Sequence, residues 1–488
     1  MAFRSMSGVQ NLLKILLAFT MCSRPSTRFN HHLRVILPTV AAQMATDMRD
    51  FTVKVIASVA GVDPSAFGSY DDARASLFQL LLPGSLGGCA LPDPVAMPEP
   101  CFLASFAAAL ANLRTDALLG PHLAEWDRWH DSRSPTLRQV AQAWYKMADR
   151  PAFVAARPHR PTDREPPTVP QRMLDHTGEC SLGCLHLIAP YQPQSVFSYS
   201  VFKQMVDTAL LPSSNLTIIA RARFRAAAQR GAAALFTAHH IPPRGLLTDI
   251  GVTWLITHRC GVVPPFYTHP PLHCHPRCKD WPPTNPIYPA HPLFPLVAYL
   301  LHQASCAVEG VALSRHDGVL RALVTAACLE LGAKVEYVKR LYSSTDSRKK
   351  TDALVTNWRQ LPPEHMLDCT IAGPMLPTYL AKASGSGHAI FIDRETEKNK
   401  KHGPGCVAAN RLFTALVATT LGGLGASRFL EWFDSAFGAS IALHVAAGGS
   451  GHEIADRKQA AILEAEAALN NATAHMVSSF SRDRSSSG

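Results

Sequence analysis

Arg315-His316-Asp317, Arg348-Lys349-Lys350-Thr351-Asp352-Ala353-Leu354-Val355, Met366-Leu367-Asp368-Cys369-Thr370-Ile371-Ala372-Gly373-Pro374 and Arg394-Glu395-Thr396-Glu397-Lys398 follow one another within residues 315–420, and their order decides the fold. A helix is read from Gly318 to Leu331. A short strand is read from Ala333 to Leu341, with Glu336 at its centre. Two further strands carry Asp352 and Asp368. A charged helix, Arg394 to His402, precedes an apolar strand from Phe413 to Leu421 that ends in Gly422-Gly423. The order is helix, three strands, helix, strand.

Three acids fall on strands and lysines follow them. Hydrolysis of a phosphodiester needs one or two divalent cations to activate water and shield developing charge. Magnesium takes oxygen ligands, chiefly carboxylates and water. Glu336, Asp352 and Asp368 supply such oxygens, and Lys398 supplies a cation for the attacking water or the phosphate. Each acid alone reads as a solvated surface carboxylate. The ordered set of four is what reads as a site.

This order resembles the restriction-endonuclease-like PD-(D/E)xK domain at the C-terminus of some non-LTR retrotransposon proteins. The matching pieces are Arg315-His316-Asp317, Lys350-Thr351-Asp352, Leu367-Asp368 and Glu395-x-x-Lys398, the lysine having moved from the strand to the next helix. Thr351 stands where proline is usual, and His402 where tyrosine is common. The resemblance implies a magnesium-dependent DNA endonuclease that nicks a target so that the exposed 3′ end primes reverse transcription. Glu336, Asp352 and Asp368 would then hold Mg²⁺. Lys398 would orient water or stabilise phosphate charge, with Lys400 as its fallback. Arg315 and His316 would hold the DNA strand or support the first helix.

Composition agrees with a polyanionic partner. The 488 residues carry 47 Lys and Arg against 37 Asp and Glu, a net charge of +10 and a pI near 9.1. A basic balance suits DNA, with element RNA as a second polyanion, although a basic protein without such a partner has the same numbers. Twelve cysteines in so long a chain do not read as a secreted disulfide scaffold. Residues 8–22 are apolar but interrupted by Lys14, short of the ~20 that span a membrane. They read as an amphipathic helix. The expected setting is nuclear or cytoplasmic, with no membrane.

The expected class is α+β: a largely helical N-terminal half, then a small mixed-sheet restriction-endonuclease-like domain. Residues 1–117 read as a helical segment. Its Leu82-Pro83, Gly87-Gly88 and Phe102-Leu103-Ala104-Ser105 resemble the segment just after the polymerase core in the same retrotransposon proteins. The polymerase is not recognised; Tyr70-Asp71-Asp72 lacks the spacer its metal site needs and reads as a turn or helix start. Residues 118–255 read as a helical, proline-rich connector. In it Asn215 to His239 is taken as one helix with a basic face of Arg221, Arg223, Arg225 and Arg230, a solvated surface or a nucleic-acid contact. Residues 311–437 are the nuclease-like domain, and 438–488 a final helix, about His452 to Ser478, with a polar tail.

Between connector and nuclease-like domain, residues 256–310 hold Cys274-x3-Cys278 and His302-x3-Cys306. Zinc takes four tetrahedral thiolate and imidazole ligands, often from two close pairs. The retrotransposon family has a Cys-Cys-His-Cys knuckle at this place, so the resemblance implies Zn²⁺ here. His273 and His275 are rival ligands, and buried thiols with a core histidine are the other reading. Cys180-x3-Cys184 is a second candidate with no partner pair near it. Two functions follow: a DNA endonuclease without its reverse transcriptase, or an inactive nucleic-acid-binding remnant of a truncated element.

Overall fold

The computed structural model describes residues 33–67, 73–113, 115–117, 120–124, 126–148, 193–238, 245–267, 310–337, 340–341, 350–356, 364–425 and 427–482. Cys274, Cys278, His302 and Cys306 lie outside the described residues, as do Cys180, Cys184, Tyr70-Asp71-Asp72 and the apolar segment 8–22.

Among the described residues, twelve helices have eight residues or more: α1 Pro38–Ala60, α2 Ala73–Leu80, α3 Pro98–Leu113, α4 Pro135–Ala148, α5 Pro193–Ala209, α6 Ile218–Ala227, α7 Asp249–Cys260, α8 Gly310–Leu331, α9 Pro377–Gly385, α10 Ala389–Ala408, α11 Ser427–Ala446 and α12 His452–Arg482. The strands are β1 Lys334–Glu336, β2 Arg340–Leu341, β3 Lys350–Thr351, β4 Ala353–Thr356, β5 Glu364–Ala372, β6 Leu412–Thr419 and β7 Leu424–Gly425. The class is α+β, mostly helical with a small mixed sheet. None of the described helices is long and apolar enough to cross a membrane.

The five-stranded sheet runs β1-β4-β5-β6-β7. The pairings β1–β4, β4–β5 and β6–β7 are antiparallel, while β5 and β6 are parallel and joined through α9 and α10. A parallel neighbour needs such a crossover, because two strand ends at opposite edges cannot be joined by a tight turn. The run Phe413 to Ala418 is apolar or small at every position and buried throughout, as a strand covered on both faces requires. Helix α10 covers one face, reaching Asp368, Thr370 and Phe413. On the other, Trp432 of α11 stands edge-on to His365 of β5.

One apolar cluster joins Ile56 of α1, Leu80 of α2, Cys89 of the loop that follows, Leu255 and Cys260 of α7, Leu323 of α8, Leu416 of β6 and Leu469 of α12. The final helix is therefore an interior element. Gly318 lets α8 and α12 approach, since a Cβ there would sit 2.8 Å from the Ala468 methyl.

Four expected boundaries change. Helix α8 starts at Gly310 rather than Gly318, so Arg315, His316 and Asp317 are helical. The strand expected over 333–341 ends at Glu336, which is a strand end and not a centre. Arg340–Leu341 pairs separately with Lys350–Thr351. The helix expected over 215–239 is broken, with Ile218–Ala227 capped by Thr217 and Gly231 at φ 85° beyond it. Only a residue without Cβ takes that conformation readily. The expected basic face dissolves with it: Arg223 is buried and donates to Gln79 Oε1 at 2.8 Å, and Arg230 pairs with Asp434. Lastly, α12 continues past Ser478 to Arg482.

Candidate active site

The β4–β5 register sets Ala353 opposite Leu367. One step further, the Asp352 N–H donates to the Leu367 carbonyl at 2.9 Å. That extra rung brings Asp352 level with Asp368 on the neighbouring strand. The two carboxyls lie close enough to shift each other's ionisation, Asp352 downward and Asp368 upward. Both side chains are largely withdrawn from solvent, 14% exposed for Asp352 and 6% for Asp368.

Helix α10 brings the cation. Lys398 Nζ lies 2.5 Å from Asp368 Oδ2. Arg394, Lys398 and His402 are spaced four apart, so they form one row along the helix. Arg394 donates to Thr370 Oγ1 at 3.0 Å. The buried His402 lies 3.9 Å from Asp368 Oδ2 and stacks on Phe413.

Helix α8 brings an imidazole. His316 Nε2 lies 2.9 Å from Asp352 Oδ2, and its Nδ1 is 2.9 Å from Asp317 Oδ1. Asp352 Oδ2 also accepts the Cys369 backbone N–H at 2.8 Å. Burial works against a charged His316 ring, but the hydrogen bonds and charges of Asp352 and Asp317 outweigh it and hold the pKa at about 9. Burial also raises Asp352, yet His316 more than offsets it and leaves that carboxyl below its ordinary value. Asp368 goes the other way. Burial and the Asp352 charge push it up to about 6 although Lys398 opposes them. Two carboxylates this close resist ionising together, and the environment assigns the charge to Asp352 first.

Of the expected quartet, Asp352, Asp368 and Lys398 are brought together. Glu336 is not with them. It pairs across the sheet with Leu354, two residues from Asp352, and lies 3.8 Å from Lys334. Among the described residues, no three His, Cys, Asp or Glu side chains form a group able to hold a metal ion. Glu336 closes β1 two residues short of the position that would lie opposite Asp352. Arg315, expected to hold a DNA strand or to support the first helix, is 3% exposed. His316 faces the carboxylates. Lys400 is exposed, about 200° around α10 from Lys398 at two residues' remove, and does not substitute for it.

Sequence reading missed Asp317 as the group that orients His316, and the row Arg394–Lys398–His402. The four-residue spacing was the available signal for the row. For Asp317 no signal existed without knowing that α8 begins eight residues earlier.

The paired carboxylates present hard oxygens, and the like-charge repulsion felt by Asp368 is what a bound cation relieves. The donor set fits magnesium held by two carboxylates with water completing its shell. In comparisons with known proteins, no family model matches this chain and no curated protein matches it.

Proposed function

We propose that this chain is a metal-dependent DNA endonuclease of retrotransposon origin, built on a restriction-endonuclease-like core. The observation that carries the reading is Asp352, just before β4, beside Asp368 at the middle of β5, with Lys398 at 2.5 Å from Asp368. The succession α8, β1, β4, β5, α10, β6 supports it, being the order the resemblance implies.

Asp352 and Asp368 would hold Mg²⁺, which when bound lowers the pKa of water and shields phosphate charge. Lys398 lies where its ammonium donates to the attacking water or to a non-bridging phosphate oxygen. His316 keeps Asp352 in place and anionic, and Asp317 fixes the ring from behind. Residues 274–306 would supply a zinc-bound grip on the duplex through Cys274, Cys278, His302 and Cys306. DNA is the proposed partner, with element RNA second.

The alternative is an inactive nucleic-acid-binding remnant, and the register favours it in one respect: Glu336 is set opposite Leu354 and not opposite Asp352. Supercoiled plasmid separates the two. The full chain is incubated with Mg²⁺ or Mn²⁺ beside its Asp352→Ala variant. Open-circle product from the parent and none from the variant supports the endonuclease. Plasmid retardation without nicking from either supports the remnant.

A further inference from the structure

Far from the carboxylate pair, two thiols that belong to different segments touch. Cys89 lies in the loop from Leu82 to Leu91, and Cys260 is the last residue of α7. Their Sγ atoms are 3.7 Å apart. Cys89 is 1% exposed and Cys260 fully buried, and both are free thiols.

The surroundings hold the two sulfurs in place. Arg259, next to Cys260, donates from Nε to the Gly88 carbonyl at 2.8 Å. Its other nitrogens reach the carbonyls of Ala232 and Ala227. Gln79 donates to the Gly87 carbonyl at 2.9 Å. A Cβ on Gly88 would overlap the Leu82 carbonyl, so the loop closes tightly on itself. Ala90 sits at φ 58°, a left-handed conformation that costs an alanine energy and persists only where its surroundings impose it. On the other side Gly261 caps α7 at φ 73°. Cross-linking needs the two sulfurs to close from 3.7 Å to the about 2.05 Å of an S–S bond.

We infer that Cys89 and Cys260 are a modification site: a thiol pair that a small hydroperoxide converts to a disulfide, stapling the 82–91 loop to the end of α7. The Cys89 thiolate attacks one oxygen of hydrogen peroxide. The O–O bond breaks, hydroxide leaves and takes up the proton shed by Cys89, and Cys89 becomes a sulfenic acid. The Cys260 thiol then attacks that sulfur. The S–S bond forms, the S–O bond breaks, and the hydroxyl departs as water with the Cys260 proton. Two thiols and one peroxide give one disulfide and two waters, with two electrons passing from sulfur to oxygen.

The order of attack follows from the charges. Burial pushes Cys101 and Cys328 up to about 12. Burial acts on Cys89 too, but its contact with Cys260 and the Arg259 guanidinium outweigh it and leave that thiol below its ordinary value. Cys260 is held well above, chiefly by burial. Arg259, anchored by its Nε on the Gly88 carbonyl next to Cys89, brings a guanidinium that favours a thiolate on Cys89.

The test uses the full chain, reduced, then treated with hydrogen peroxide at near-equimolar dose, denatured, alkylated and digested for mass spectrometry. The expected product is a peptide pair joined at Cys89 and Cys260. It is released by dithiothreitol, with both residues protected from alkylation and the thermal midpoint of the oxidised protein raised. Cys260→Ala should leave Cys89 alkylatable or over-oxidised and abolish the upward shift. Recovery of both residues as alkylated thiols from the peroxide-treated parent, or of Cys89 joined to another cysteine, overturns the inference. The parent digest decides this even if the variant fails to fold, and no nuclease activity is required.

Discussion

His316 on α8 and Asp352 before β4 meet at 2.9 Å, and the opposite ring nitrogen of His316 meets Asp317 at the same distance. An imidazole held between two carboxylates orients the one that would bind a cation, as outer-shell histidines and carboxylates do in metal sites. Loss of such a partner lowers metal affinity or activity by roughly 10–100-fold. Replacing His316 with Asn should slow plasmid nicking by that order, and Asp317→Asn by less. Initial rates of conversion to open circles measure both, and a His316→Asn rate equal to the parent's would exclude the positioning role.

Glu336 gives the opposite expectation. It faces Leu354 across β1 and β4, off the level of Asp352. Glu336→Gln should leave the nicking rate unchanged, whereas Asp368→Asn and Lys398→Met should each abolish it. A Glu336→Gln variant as dead as Asp352→Ala would mean that β1 shifts to complete a three-carboxylate site when DNA or metal is present.

Stability should peak on the acid side of neutrality. Glu466 of α12 is buried, and burial, opposed by the Leu235 N–H and Arg259, raises it to about 8 from an ordinary 4.5. A raised carboxyl contributes stability that is fully present below the unfolded value and lost as pH climbs through the folded one. The window is therefore 4.5 to about 8. His365 and His258 are driven down by burial to about 4 and about 3. Their contribution is present above an ordinary 6.5 and lost as pH falls through those values. Melting temperature should thus be highest near pH ~5–6.5 and decline on either side. Glu466→Gln should make the loss between pH 4.5 and about 8 shallower, His316, raised from 6.5 to about 9, keeping part of the alkaline limb; an unchanged limb in that variant would remove Glu466 as a cause.

The seat of α10 can be probed through a glycine. A Cβ at Gly425 on β7 would overlap the ring of Phe391, a fully buried residue two turns before Lys398. Gly425→Ala should cost about 1–3 kcal/mol by overpacking and weaken nicking through displacement of Lys398. At Gly385 an added Cβ meets nothing, so Gly385→Ala should be neutral or stabilising by up to about 1 kcal/mol. Urea denaturation of the two variants side by side reads the difference.

The C-terminal half was legible because its signals are local. The apolar run from Phe413 names a doubly covered strand, and the Glu395–Lys398 stretch names an exposed helix carrying charge. Asp352, Asp368 and Lys398 could be picked out because each sits in a short pattern of its own. Glu336 could not be placed, since strand length and register depend on pairing with β4, a contact the local sequence does not encode. Arg223 and Arg259 were equally opaque. A buried arginine looks like a surface one until its acceptors, Gln79 for the first and three carbonyls for the second, arrive from distant segments. The split of the helix read over 215–239 was signalled by Gly231, whose weight as a breaker was underestimated.

Glu466 takes the Leu235 N–H at 2.8 Å and sits close enough to Arg259 to feel its charge, more than two hundred residues after both. During synthesis, the Leu235 N–H must therefore wait for its acceptor until residue 466 has been made. Until then the apolar surface of α7 and α8 that α12 covers is bare. Such a topology folds late and slowly. Ribosomes halted before residue 466 would release chains that aggregate or recruit chaperones, however intact their first four hundred residues.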